Sequence, residues 1–325
     1  MEQRRQLLPI LDEEPRPAED VRNLQNCAEF PFVDLWRAPW DSVESMELAR
    51  NAPAAHYTTD RVVHVGDPVT LGATMKYGDE PMAGEWVRIF VGSCNGWDQV
   101  GVKKTSGDGE ILKRMDNRLS AGVYAVVYQS AGDATKVRGQ LWVLPRRARV
   151  VAIDLHGAAF EPSVEGNPAS TVEVIPAAAE LSQWHARQGR VVVYLDDGQH
   201  HSQAIPRRQR LETLRSVLQD RDFVVGPVVD LGIHRNPDDP EVMRPGRFGE
   251  ANSEVTSALP ISTPIDVLFS DRIATESYLS LAGVAIDQSF YLSDYCASSQ
   301  EQPLRTGWTR LMNELDSDSA DDDPG

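Results

Sequence analysis

Three short stretches place acids where an apolar run ends. Asp154 closes ARVVAID and His156 follows two residues on; Asp196, Asp197 and Gly198 follow RVVVYL; Asp271 and Arg272 follow PIDVLFS, with Thr275 just beyond. Acids at the carboxyl ends of apolar strands stand where ligands bind in a parallel sheet, and a histidine exchanges protons near neutral pH. Carboxylates gathered at one point raise each other's pKa or require a cation, and Mg²⁺ takes such oxygen ligands. Asp154 with Asp271 is the candidate metal pair, with Asp196 as a third acid. A hydrated remnant without a cation is the preferred reading, and the cation site is the alternative. The adjacent His200 and His201 suit an exposed loop better than a metal site, because neighbouring histidines rarely ligate one ion. Two basic groups, Arg146, Arg147 and Arg149, and Arg207, Arg208 and Arg210, could pair with acids or meet lipid headgroups. No GxSxG, P-loop or HExxH motif is present.

These residues need elements that carry them. From residue 148, strand-like runs alternate with helical ones. Pro176 opens PAAAELSQWHARQ and Gly189 closes it; IPRRQRLETLRSVLQ is amphipathic through Leu211, Leu214, Val217 and Leu218; DFVVGPVVD, PIDVLFS and SFYLSD read as further strands. That order predicts a parallel sheet with helices on both faces, whose ligands bind at the carboxyl ends of the strands. Residues 58–146 instead hold about seven short alternating runs separated by turns such as Gly107-Asp108-Gly109, the pattern of an immunoglobulin-like β-sandwich. Residues 1–57 read as a lead-in with a helix near 42–51 and with Trp36 and Trp40 packed on a neighbouring domain. Residues 298–325 end in an acidic run expected to be solvated and disordered.

Composition excludes several classes. The 325-residue chain carries a formal net charge of −17, which argues against nucleic acid as a partner and against general electrostatic attachment to anionic lipid. The apolar fraction of 41% suffices for a core. Cys27, Cys94 and Cys296 are odd in number and widely spaced, which predicts reduced thiols in a cytoplasmic protein. No apolar run approaches the ~18 residues of a membrane span, and the first residues match no secretory signal.

The stretches LSAGVYAVVYQSAGDATKVRGQLWVLPRRARVVAIDLHGAAF, VEVIPAAAELSQWHARQGRVVVYL and SDRIATESYLSLAGVAIDQSFYLSD together resemble, in order and spacing, the C-terminal module of the lipins and the membrane-associated phosphatidylinositol transfer proteins. The resemblance covers roughly residues 58–295. It implies a haloacid-dehalogenase-like α/β domain at 147–297, a parallel-sheet Rossmannoid fold, behind an immunoglobulin-like sandwich. It further implies that Asp154 occupies the nucleophile position and His156 that of the second aspartate. Gly157 is retained, Ala158 replaces a threonine, and Asp196 replaces the phosphate-holding Ser or Thr. Asp197, Gly198 and Gln199 stand at a Gly-Arg-Pro-like turn, Glu250 at the lysine position, Arg272 at its match, and Thr275 at a metal-binding aspartate. With the lysine gone and acids added, the pocket is hostile to a phosphate dianion. The resemblance thus implies a catalytically impaired, phosphatidate-sensing module, cytoplasmic or peripheral to a membrane. The alternatives are an active Mg²⁺-dependent phosphatase working through an aspartyl-phosphate, and a protein-interaction module without a lipid role.

Overall fold

The computed structural model describes residues 24–28, 31–32, 37–160, 174–196, 207–231, 233–236, 239–245, 261–270, 273–281 and 283–291. Alternation of apolar residues builds the first half. In β7 (Trp86–Ser93), Val87, Ile89 and Val91 point into a core while Arg88 and Phe90 share the other face. This strand lies in a six-stranded sheet ordered β3 (Arg61–His64), β11 (Lys136–Leu144), β10 (Gly122–Ser130), β7 and β8 (Gly96–Lys104), with β1 (Gln25–Asn26) added alongside β10. A second sheet of β2 (Tyr57–Thr58), β4 (Val69–Thr74) and β9 (Glu110–Met115) packs against it. Leu71, Met75, Ile89, Ile111, Val126 and Leu141 fill the space between them. The short pair β5 (Lys76–Tyr77) and β6 (Glu80–Pro81) closes one end. Gly109 is required beneath that pair, because its φ is +76° and a Cβ there would lie 2.4 Å from the Met75 carbonyl.

The second half is a parallel sheet of β12 (Val150–Asp154), β13 (Val191–Asp196), β14 (Val228–Asp230), β17 (Ile265–Ser270) and β18 (Ile286–Tyr291), in the order β14-β13-β12-β17-β18. Both faces are covered, which explains why its strands read as continuous apolar runs. On one face, Val151, Ile153, Val192 and Tyr194 meet Leu181 from the helix Pro176–Arg187 and Leu214 from the helix Arg207–Asp220. On the other, Val150, Ala152, Val193 and Leu268 meet Val62, Trp142 and Leu144 of the sandwich. The two halves therefore share a core. The DFVVGPVVD run yields only the three residues of β14, and just before it Gly226 passes so close to β13 that a Cβ would sit 2.1 Å from the Val192 carbonyl.

The expected fold class, a haloacid-dehalogenase-like parallel-sheet Rossmannoid α/β domain behind an immunoglobulin-like sandwich, is overturned. Among the described residues the chain is mostly β-sheet: eighteen strands stand against four α-helices, the short Val43–Asn51 and Ile273–Leu281 included. The physical reason lies partly in the connections. Between β14 and β17 the described backbone forms an antiparallel hairpin, β15 (Ile233–Asn236) with β16 (Asp239–Pro245), where a helix-rich fold would place crossover helices. After β12 the chain turns through a single π-helical turn, Leu155–Ala159, closed by Phe160 N–H donating to the Leu155 carbonyl.

A second expectation also fails. Cys27 and Cys94 form a disulfide, although 67 residues separate them. Sequence spacing could not show this. The two cysteines directly follow β1 and β7, and both of these strands pair with β10, so the pairing brings the thiols together.

Candidate functional site

The strand ends were the places to inspect. Asp154 ends β12 and is completely buried. Its Oδ2 accepts hydrogen bonds from the Ser270 hydroxyl at the end of β17 and from the Thr275 hydroxyl in the helix Ile273–Leu281, both at 2.8 Å. The structure thus brings Asp154 and Thr275 together, with a donor and an acceptor in place of two metal ligands. It does not bring Asp154 and Asp196 together. In register, Asp154 pairs with Leu195, whose face carries Val193, whereas Asp196 follows Val192 and Tyr194 on the opposite face and pairs with Asp230 of β14. Side-chain alternation therefore sends the two carboxylates to opposite faces of the sheet.

His156 and Gly157 lie in the π turn, where only the backbone course is described. Asp197, Gly198, Gln199, His200, His201, Glu250, Asp271 and Arg272 lie outside the described residues, as do Trp36, Cys296 and the acidic tail, and the side chains of Arg207, Arg208 and Arg210 are likewise not described. Among the described residues, no three His, Cys, Asp or Glu side chains are placed to hold a metal ion. Mg²⁺ therefore has no described ligand set.

Two polar centres were not singled out from the sequence. The first is Asp60, 1% exposed, at the seam between the halves. Its Oδ1 accepts from Gln140 N–H of β11 at 2.9 Å and from Arg215 Nη2 at 2.8 Å, and its Oδ2 accepts from Val228 N–H of β14 at 3.0 Å. One carboxylate thereby ties together the sandwich, the helix Arg207–Asp220 and the parallel sheet. Next to it, the Thr59 hydroxyl accepts from Asp230 N–H at 2.7 Å. Arg61 is buried here. Burial pulls its guanidinium below the usual value, and Tyr128 and the Asp230 carboxylate oppose that shift.

The second centre has the residue types of a hydrolytic triad. Thr135 Oγ1 lies 2.8 Å from His56 Nε2 and 2.7 Å from Asp133 Oδ1, and the Tyr77 hydroxyl donates to Asp133 Oδ2 at 2.5 Å. The proton directions argue against activation of Thr135 by His56. His56 Nδ1 accepts from the Lys76 amide at 3.0 Å, so the proton sits on Nε2 and points at Thr135, which in turn donates to Asp133. A nucleophile would need the reverse arrangement, with an imidazole lone pair facing the hydroxyl. Burial pushes the Asp133 carboxyl up, but donation from Tyr77 and Thr135 outweighs it and holds the group below its usual value. The centre is a half-buried polar network in which every described donor leads to Asp133.

Comparisons with known proteins leave the family open. No family model matches the chain, and no curated protein does. Solved structures give distant likenesses. The fibronectin(III)-like modules of Clostridium thermocellum CbhA share 13% identity over 30% of this chain and 49% of that one, with a TM-score of 0.21; this chain spans about half of that relative's length. A carbohydrate acetylesterase from Xanthomonas citri, XAC1771, shares 10% identity over 78% of this chain and 73% of that one, with a TM-score of 0.25. At these scores neither carries an argument about fold or activity.

Proposed function

We propose that this chain is a non-catalytic regulatory module that meets an anionic phospholipid such as phosphatidate at a membrane surface. The observation that carries the non-catalytic part is the state of Asp154. A nucleophilic carboxylate needs a free oxygen facing a phosphorus atom, and Asp154 is completely buried with Oδ2 engaged by two hydroxyls. Its arrangement serves to join β12, β17 and a helix. The lipid part rests on Arg146 and Arg147, exposed side by side at the junction of the halves. Each exposed basic residue near an anionic surface contributes about 1 kcal/mol. Among the described residues no helix is long and apolar enough to cross a membrane, so contact would be peripheral. The Cys27–Cys94 bridge favours an oxidising setting over the cytoplasmic one anticipated from the cysteine count.

The test has two arms. Phosphatase assays with p-nitrophenyl phosphate and with phosphatidate, each with Mg²⁺, should give buffer-level rates for both the chain and Asp154→Asn. A Mg²⁺-dependent rate that Asp154→Asn abolishes would overturn the non-catalytic reading. In flotation with phosphatidylcholine vesicles, adding phosphatidate should raise the bound fraction, and Arg146→Ser with Arg147→Ser should lower it again. Flotation that ignores phosphatidate would remove the lipid and leave a protein-interaction module.

A further inference from the structure

The outer face of the six-stranded sheet carries alternating aromatics and cations. Arg88 and Phe90 project from β7, Trp97 from β8, and Lys136 and Arg138 from β11. Arg88 lies over the Phe90 ring at 4.8 Å and Arg138 over the Trp97 ring at 5.6 Å. Gly92 makes room for this surface, since a Cβ there would sit 2.8 Å from the indole of Trp97.

Residues 24–28 and 31–32 lie across this face as a strap. The Phe32 ring sits 4.9 Å from that of Phe90 and 4.8 Å from that of Trp97 in an aromatic clamp, with the Lys136 ammonium 5.3 Å above it. The side-chain polar contacts share one feature: the sheet supplies the donors and the strap supplies main-chain carbonyls. Arg138 donates to the Ala28 carbonyl, Trp97 Nε1 to the Pro31 carbonyl at 2.9 Å, and Lys136 to the Phe32 carbonyl at 3.5 Å. The strap enters by a two-residue parallel pairing of β1 with β10, extended by Cys27 N–H donating to the Val123 carbonyl at 2.8 Å.

We infer that this face is a peptide-docking surface for an extended segment bearing one aromatic side chain, and that the strap is its resident occupant, latched by the Cys27–Cys94 disulfide. Donors aimed at backbone carbonyls accept many sequences in extended form, and the Phe90–Trp97 clamp selects the one aromatic. The strap belongs to this chain, so a competing peptide always faces a high effective concentration; the bridge fastens the strap on its other side as well, and opening it lowers that concentration. Opening is a thiol–disulfide exchange: a dithiol reductant is oxidised to its own disulfide while Cys27 and Cys94 are each reduced to a thiol. The occupant from outside is a segment of a partner protein with an aromatic residue at the Phe32 position. This inference is independent of the reading of Asp154.

The experiment is a fluorescence-anisotropy titration with a labelled synthetic peptide of residues 24–32 carrying Cys27→Ser. The receptor is the full chain carrying Cys27→Ser and Phe32→Ala, which frees the clamp. The peptide should bind this opened chain at least about tenfold more tightly than it binds the oxidised, unaltered chain. Replacing Phe32 by Ala in the peptide, or adding Arg138→Ala to the receptor, should each weaken binding about tenfold or more. No binding to an opened chain that still melts cooperatively would overturn the inference, as would equal affinity for the two peptides. If the opened chain loses its cooperative melt, the same titration on the unaltered chain with and without dithiothreitol decides. A rise in peptide binding on reduction supports the docking surface, and no rise overturns it.

Discussion

Each half of the molecule holds an aspartate against hydroxyl donors, and the halves differ in where those donors come from. In the sandwich, Asp133 is served by Thr135, two residues away, and by Tyr77, 56 residues away on β5. In the parallel sheet, Asp154 is served by Ser270 and Thr275, 116 and 121 residues away. The first arrangement organises a turn that is already nearly formed. The second closes the sheet, because β12, β17 and the following helix cannot satisfy these groups until all three are packed. An aspartate at the end of a parallel strand invites a catalytic reading, but its donors decide its role, and here they come from groups that seal it. The halves differ also in their fastenings. The sandwich carries a covalent bridge and an outer face of cations and aromatics under the strap, whereas the parallel sheet depends on apolar layers over both faces.

The largest effect that would sharpen this contrast comes from the bridge. Closing a loop over the 67-residue separation of Cys27 and Cys94 is worth about 4 kcal/mol on chain-entropy grounds. Reduction should therefore lower the melting temperature, and hydrogen exchange should show the loss first in β1 and the neighbouring end of β10. Equal loss of protection in β12 and β13 would break the contrast. Next comes Asp60→Ala, which orphans two buried amides and a guanidinium and should cost about 3 kcal/mol. Chemical denaturation should remain a single transition shifted to lower denaturant. Third, Asp154→Ala should cost about 2 kcal/mol by stranding two buried hydroxyls, against about 1 kcal/mol for Asp133→Ala, whose surroundings are partly open. A reversed order in urea titrations would show that the long-range closure counts for less than the local turn.

The smallest effect is one of pH. His185, buried beside Phe269, accepts from Arg190 at Nδ1 over 3.1 Å, and among the described residues its Nε2 has no hydrogen-bond partner. Burial, reinforced by the Arg190 charge, lowers its pKa well below 6.5. The folded state therefore holds this imidazole neutral while the unfolded chain takes up a proton. Stability is complete above about pH 6.5 and falls as pH drops below it, by up to about 1.4 kcal/mol per pH unit until the folded pKa is reached. His185→Phe should flatten that limb of the stability–pH curve. An unchanged slope would assign the acid sensitivity to other groups.

Much of the local structure was legible. The run GVYAVVYQS is β10, and Pro176 and Gly189 do bracket the helix Pro176–Arg187. Period and punctuation are local, and local physics sets them. The class was misread because a few strand–helix alternations were extended to a helix-rich domain, whereas a hairpin occupies part of the route between β14 and β17. The candidate site was legible in position and misread in arrangement. Asp154 and Asp196 each end a strand, but only the register of β12 with β13 shows that they face opposite ways. Asp60 and the Cys27–Cys94 bridge left no signal, since their partners are distant in sequence and no spacing rule connects them.

The seam built on Val62, Trp142 and Leu144 has one more consequence. Cutting the chain between residues 146 and 147 would not release two modules. The sandwich piece would present bare apolar side chains, and the sheet piece would lose the cover of one face. The two halves are thus a single heritable unit, and recombination that passed on either one alone would pass on a polypeptide with its apolar seam bare to water.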